Sequence, residues 1–291
     1  MDVEPTPVAD APGVYLVDNE LFGERGALST YVVDAERPAV LDAGGMNTVD
    51  RILAALDALD VARTELAFVL VTHVHLDHAG GAGRLAEVCP NAEVVVHERG
   101  SEYLTDREKL DHLMASVSRA AGTENPYGEP TLLSPDRVRT VTGGETLDLG
   151  DRTLDVYDAP GHAPHHYVCF DESDGTLYAA DAVGEYYRDR AIPSTPPPSF
   201  DLAANLETVE RLRPLDPDRI LYGHFGVGHG GTRLLDQYAE ELPEYVEQIA
   251  AARERHGNDA AAIAAALPAK WDSPTLVRDV GGVLVALDRE A

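Results

Sequence analysis

The sequence predicts an α/β protein, built as two successive halves of short strands and helices with a helical C-terminal extension. Three observations carry this. Short apolar runs rich in β-branched residues alternate with stretches of helical spacing, and the pattern strand, strand, helix, strand occurs twice. Several of these runs end abruptly in His, Asp or Gly, which puts reactive residue types at strand ends. From Arg233 onward the chain reads as helices alone.

In the first half, strands are expected from Val14 to Val17, Ser29 to Val33 and Ala39 to Asp42, then a helix near Val49 to Leu59. The run Ala67-Phe68-Val69-Leu70-Val71 is short and continuously apolar, the mark of a strand buried on both faces. Gly80 and Gly81 then turn the chain into a helix at about Ala82 to Val88, and a strand covers Glu93 to Val96. Between Glu98 and Pro135, Tyr103, Leu104, Leu110, Leu113, Met114 and Val117 recur at helical spacing before the Pro/Gly-rich stretch Glu124 to Pro130. This reads as an insertion at about 98–137, either a lid facing a substrate or an amphipathic helix pair packed on the sheet.

The second half offers strands at Val138 to Val141, Thr146 to Leu149, Thr153 to Tyr157, His166 to Phe170 and Leu177 to Ala180, a helix at Leu202 to Leu212 and a strand at Arg219 to Tyr222. A second insertion, Glu185 to Phe200, carries Tyr186, Tyr187, Arg188, Arg190 and Pro196-Pro197-Pro198. Its prolines fix φ and suit a stiff pocket wall. The tail divides into helices Arg233 to His256, Ala260 to Leu267 and Ser273 to Arg289, with Asp272-Ser273-Pro274 resembling a helix start. The expected organisation is a main domain over 1–230 and an extension over 231–291 that either caps it or offers a homodimer face.

The segment Thr72-His73-Val74-His75-Leu76-Asp77-His78-Ala79-Gly80-Gly81 packs three imidazoles and a carboxylate into six residues directly after a strand. Histidines two apart on an extended chain point the same way, so His73 and His75 reach one metal position while Asp77 and His78 turn toward a second. The spacing suggests two metals.

This segment resembles the HxHxDH signature of the metallo-β-lactamase fold hydrolases, and the rest of the chain is similar to that family in order. Asp158-Ala159-Pro160-Gly161-His162-Ala163-Pro164-His165-His166 resembles its PGHTPGH element: His162 matches the next metal ligand, His166 the motif's second histidine, and His165 stands where glycine is usual. Leu177 to Ala182 resembles the strand ending in Gly-Asp, with Ala180 at the glycine and Asp181 matching the carboxylate that bridges both metals. In Ile220 to Gly226, His224 matches the last ligand. Ala39 to Gly45 resembles the strand end whose aspartate orients a ligand histidine, which makes Asp42 a supporting candidate.

The resemblance spans about Val14 to Gly226 and implies a four-layer αβ/βα sandwich. It implies that His73, His75 and His162 hold one metal, that Asp77, His78 and His224 hold the other, and that Asp181 bridges. The function implied is a metal-dependent hydrolase whose bridging hydroxide, at a dinuclear site, cleaves a thioester, lactone or ester carbonyl. Asp77, Asp181 and His166 are the expected catalytic residues, and two divalent ions the expected cofactors, zinc first with iron or manganese as alternatives. The motif style is most similar to glyoxalase II, although no match to that enzyme's glutathione-gripping basic residues is found among Arg233, Arg253, Arg255 and Lys270. The alternatives are a persulfide-dioxygenase-like oxidoreductase with a single iron, and a non-catalytic metal-binding module. No GxSxG or Cys-His pattern offers a side-chain nucleophile.

Composition narrows the partners. The net charge is -28, and of 23 Lys and Arg only Lys109 and Lys270 are lysines. The 51 acidic residues are spread along the chain, which fits adaptation to high salt rather than a cationic partner. No basic patch is visible, so nucleic acid is not expected and a small-molecule substrate is. Met1 to Pro5 lacks the basic and apolar stretches of a secretory signal, and no apolar run approaches the ~18 residues of a membrane span, so a cytoplasmic protein that does not enter a membrane is expected. Cys89 and Cys169 lack ligand spacing and read as buried small apolar residues.

Overall fold

The computed structural model describes residues 3–290. The first sheet comprises β1 (Thr6–Pro7), β2 (Val14–Asp18), β3 (Ser29–Val33), β4 (Ala39–Leu41), β5 (Phe68–Val71), β6 (Glu93–His97) and β7 (Val138–Val141), in that spatial order. Strands β1 to β4 pair antiparallel; β4 to β7 pair parallel, joined through α1 (Val49–Ala58), α2 (Leu76–Ala79), α3 (Ala82–Val88), α4 (Ser101–Thr105) and α5 (Arg107–Ala121). The second half contributes β8 (Thr146–Asp148), β9 (Thr153–Asp158), β10 (Tyr167–Asp171), β11 (Thr176–Ala180), a hairpin of β12 (Glu185–Tyr187) and β13 (Arg190–Ile192), α6 (Leu202–Leu212), β14 (Arg219–Tyr222) and β15 (Val227–His229). Its six-stranded sheet runs β15-β14-β11-β10-β9-β8, antiparallel except between β11 and β14.

Period-two alternation in the strands divides the apolar residues among three cores. Phe68 and Leu70 of β5 face Tyr167 and Cys169 of β10 in a core between the sheets. Val69 and Val71 face outward onto Ile52 and Leu56 of α1 and Leu85 of α3. Val168 and Phe170 of β10 face the other way, onto the second sheet's own helices. The result is four layers: helices, sheet, sheet, helices.

The tail supplies most of that last layer, as α7 (Gly231–His256), α8 (Ala260–Ala266) and α9 (Leu276–Glu290). Leu234, Tyr238, Leu242, Tyr245 and Ile249 fall three or four apart on α7 with Leu235 beside the first, and all are buried, sharing one core with Leu177, Ile220 and Tyr222 of the sheet. Among the described residues no helix is long and apolar enough to cross a membrane.

One expectation resolves between its alternatives and two need correction. Of the two readings of the stretch after Glu98 the helix pair is the one observed, broken at Asp106, whose carboxylate caps α5 by accepting from the Lys109 amide at 3.0 Å. Residues 185–192 form the β12/β13 hairpin, because the run Glu185-Tyr186-Tyr187 pairs with Arg190-Ala191-Ile192 across Arg188 and Asp189, both at positive φ. The last helix starts at Leu276 rather than Ser273.

Candidate metal centre

Every candidate ligand stands past the carboxyl end of a strand, whereas His166 directly precedes β10. His73 to His78 follow β5, His162 follows β9, Asp181 follows β11 and His224 follows β14. The chain leaves these ends by sharp turns: Asp42 (φ +63°), Ala180 (φ +44°) and Phe225 (φ +65°) adopt the left-handed region that costs an L-residue ~1–2 kcal/mol. Strain of that kind at three strand ends around one cavity is held in place by the surrounding packing.

Two groups of donors converge. His73 Nε2 and His162 Nε2 each lie 3.0 Å from His75 Nδ1. Across the cavity His78 Nε2 lies 3.3 Å from His224 Nε2, and Asp77 Oδ2 is 3.9 and 3.8 Å from those nitrogens. Asp181 Oδ2 stands between the groups, 3.6 Å from His78 Nε2, 3.5 Å from His224 Nε2 and 3.6 Å from His162 Nε2. Donors sharing one tetrahedral zinc sit ~3.3 Å from one another, so these separations fit a shared ion.

The outer ring nitrogens fix the tautomers. Nδ1 of His73 meets Thr72 Oγ1 at 3.1 Å, Nδ1 of His162 the Ser194 carbonyl at 3.0 Å, and Nδ1 of His224 the Ala27 carbonyl at 2.7 Å. Asp42 faces His78 Nδ1 at 2.9 Å through Oδ2 and accepts from the Thr72 amide and hydroxyl through Oδ1, which ties β4 to β5 at the centre. An imidazole whose outer N–H is engaged in this way turns a lone pair inward, as a metal ligand must.

The two groups differ in charge. Burial holds His73 and His162 well below the ordinary imidazole range and His75 at about 4, so this trio is neutral. Burial opposes the cation at His78 and His224 too. There the carboxylates of Asp181, Asp77 and Asp42 overcome it and raise His78 to about 9, and Asp181 and Glu185 raise His224 to about 10. Against its own burial, Asp181 is held well below the carboxylate range, first by His224 and then by His78. Protons here occupy ground that suits a metal cation, and Asp181 Oδ1, buried without a hydrogen-bond partner among the described residues, still asks for positive charge.

The other sequence candidates take varied places. His166 is fully buried, its ring stacked on His73 at 4.5 Å and its Nε2 without a partner among the described residues. His165 sits nearer the mouth, accepting from the Val74 amide at 3.4 Å, with its ring 6.0 Å from both His75 and Tyr103. His229 is exposed at the end of β15.

Both insertions border the centre, and they supply residues that sequence reasoning missed. Tyr127, in the loop after α5, is raised first by the Asp77 carboxylate, and exposed Phe22 stacks on it at 5.7 Å. Glu185, fully buried on β12, has a carboxylate oxygen within 4.8 Å of Asp181 and His224 donor atoms. Arg278 of α9 donates to Glu185 at 2.5 Å. A tyrosine between Pro126 and Gly128, or a lone Glu at a strand start, bears no local mark of such a position.

Known proteins resemble this chain in sequence and fold. The sequence model described as the metallo-beta-lactamase superfamily matches residues 22–224. Metallo-beta-lactamase fold-containing protein ST1585 of Sulfurisphaera tokodaii is 32% identical over 220 residues, 74% of this chain and 78% of that protein. Its crystal structure superposes with a TM-score of 0.65 at 28% identity, covering 75% of this chain and 80% of that one. The acyl-coenzyme A thioesterase MBLAC2 of Gallus gallus is 26% identical over 76% of this chain and 80% of its own length. The hydroxyacylglutathione hydrolase GloC of Haemophilus influenzae is 26% identical over 72% of this chain and 88% of its own.

Proposed function

The chain belongs to the metallo-beta-lactamase superfamily, and on that premise we propose that it is a dinuclear metal-dependent hydrolase of thioesters. The observation that carries the reading is the place of Asp181, whose Oδ2 lies 3.5 to 3.6 Å from histidine nitrogens of both groups. His73, His75 and His162 would hold one divalent ion, Asp77, His78 and His224 the other, and Asp181 would serve both, zinc being the first choice for such a His/Asp set. When bound, the two ions would bring the pKa of a water near neutrality and polarise an acyl carbonyl.

The chain's own groups do the rest. Asp42, Thr72 and the carbonyls of Ala27 and Ser194 keep the imidazole lone pairs turned inward. Asp77 and Asp181, held ionised, are the acceptors able to orient a nucleophilic water, and Tyr127 faces the same side from the first insertion. Fully buried His166 packs beneath His73 and keeps that ring in its plane. The thioester preference is supported by two relatives that are both thioester hydrolases by name.

Release of thiol from a panel of acyl-coenzyme A and hydroxyacylglutathione thioesters, with added zinc or manganese in molar KCl, tests this. Metal-dependent release that disappears in Asp181→Ala is expected. If the wild type frees no thiol from any member of the panel, the thioester assignment fails.

A further inference from the structure

The outer hydrogen bonds of His73, His78 and His224 end on Thr72, Asp42 and Ala27, all inside the matched family region. The partner of His162 lies inside that region too, but on a segment held from outside it. Its Nδ1 meets the carbonyl of Ser194, just beyond β13, and that segment is tied to the C-terminal helix. The Thr195 amide donates to Asp279 Oδ1 at 2.9 Å, and the Thr195 hydroxyl to the Asp279 carbonyl at 2.9 Å. The helix can lie this close only because residue 282 is glycine: a Cβ there would fall 1.7 Å from the Thr195 carbonyl oxygen.

A second chain of contacts leaves the same helix and Thr275, the residue just before it. Glu185 Oε2 accepts from the Thr275 hydroxyl at 2.9 Å, and Oε1 accepts from Arg278 Nη2 at 2.5 Å and from Ser194 Oγ at 3.1 Å. Three donors occupy this buried carboxylate, so it acts on neighbouring Asp181 and His224 by charge and place rather than as a ligand. Arg278 itself is gripped by Asp279 through Nε at 3.1 Å and Nη2 at 2.9 Å.

We propose that α9, with Thr275 just before it, is a positioning element of the metal centre, holding His162 through Asp279, Thr195 and Ser194, and the Asp181/His224 side through Thr275, Arg278 and Glu185. The inference rests on reading the centre as a metal site. Thr275, Arg278 and Asp279 all lie beyond residue 224, where the family match ends, so the extension is a working part of the centre and not an appended module. Outer partners of metal ligands are worth ~10–100-fold in metal affinity, which sets the size of the effect.

Titration of metal-free protein with Co²⁺ alone, read by visible absorption and by competition with a chelator, tests it in the full-length chain. Asp279→Ala and Arg278→Met should each weaken Co²⁺ binding by ~10-fold or more and shift the absorption bands, with partial recovery in Arg278→Lys. Thr275→Val, the loss of one hydroxyl, should move both readouts in the same direction by less. Leu284→Ala removes a buried α9 contact outside both chains and should lower Tm with the titration unchanged. If Asp279→Ala and Arg278→Met titrate as wild type, or Leu284→Ala shifts the titration as far as they do, the positioning role is overturned. Should the larger substitutions fail to fold, a wild-type titration curve for Thr275→Val overturns it alone. A wild type that binds no Co²⁺ overturns the metal reading and this inference together, whereas normal wild-type binding with insensitive variants removes only the inference.

Discussion

Gly223 shows how one residue conditions the centre. A Cβ at this position would stand 2.5 Å from both Asp181 Oδ1 and His78 Cε1, so the strand end carrying His224 reaches the cavity only without a side chain. Gly223→Ala must therefore push aside the Asp181 carboxylate or the His78 ring; under the proposed zinc site the expected outcome is a protein that folds but is purified with a much lower zinc content by elemental analysis. Wild-type zinc content would show that the site yields at no cost. Residue types such as His73, His75, Asp77 and His78 were legible in the sequence because four ligand-type residues in six positions have few structural uses. Tyr127, Glu185 and Arg278 were not, since each is an ordinary residue whose meaning comes from what it touches.

Among the elements, the longer strands and helices were legible, such as α3 and α6, while the two- and three-residue strands β1, β12, β13 and β15 were not. Strands β3, β7 and β14 run where the apolar pattern puts them, because a short β-branched run between turn residues has one way to be buried in a sheet. The helical pattern from Tyr103 to Val117 is continuous in spacing yet broken in space, since an Asp at 106 competes for the amides that a single helix would use. Only Leu110 of α5 is buried, so the cap carries an unusual share of this helix's stability. Asp106→Ala should cost about 1 kcal/mol locally, seen as faster hydrogen exchange of the first-turn amides of α5 with zinc content unaltered. Unchanged exchange would remove that role from Asp106.

At the scale of the molecule the dominant quantity is charge. With 51 acidic residues against 23 Lys and Arg, mutual repulsion opposes the compact state in dilute buffer, and the screening length falls from about 10 Å at 0.1 M salt to about 3 Å at 1 M. The proposal that the protein is adapted to high salt then has a direct check: Tm should rise from ~0.1 M to ~2 M KCl. A flat or falling Tm would mean that the local ion pairs, not screening, already balance the charge.

The sequence by itself determined the alternation of strands and helices, the strand ends that carry His and Asp, and the family whose signature they resemble. These are local facts, set by periodicity and by residue types that rarely occur together without a use. Tertiary structure alone decided that donors from four strand ends meet within one cavity, that both insertions border it and that α9 reaches it. Thr195 and Asp279, 84 residues apart, become partners only when the second sheet's helical layer is assembled. Nothing in either local sequence encodes that contact, because its donor and acceptor are brought together by the packing of apolar faces such as Val280, Val283 and Leu284 onto a core made elsewhere in the chain.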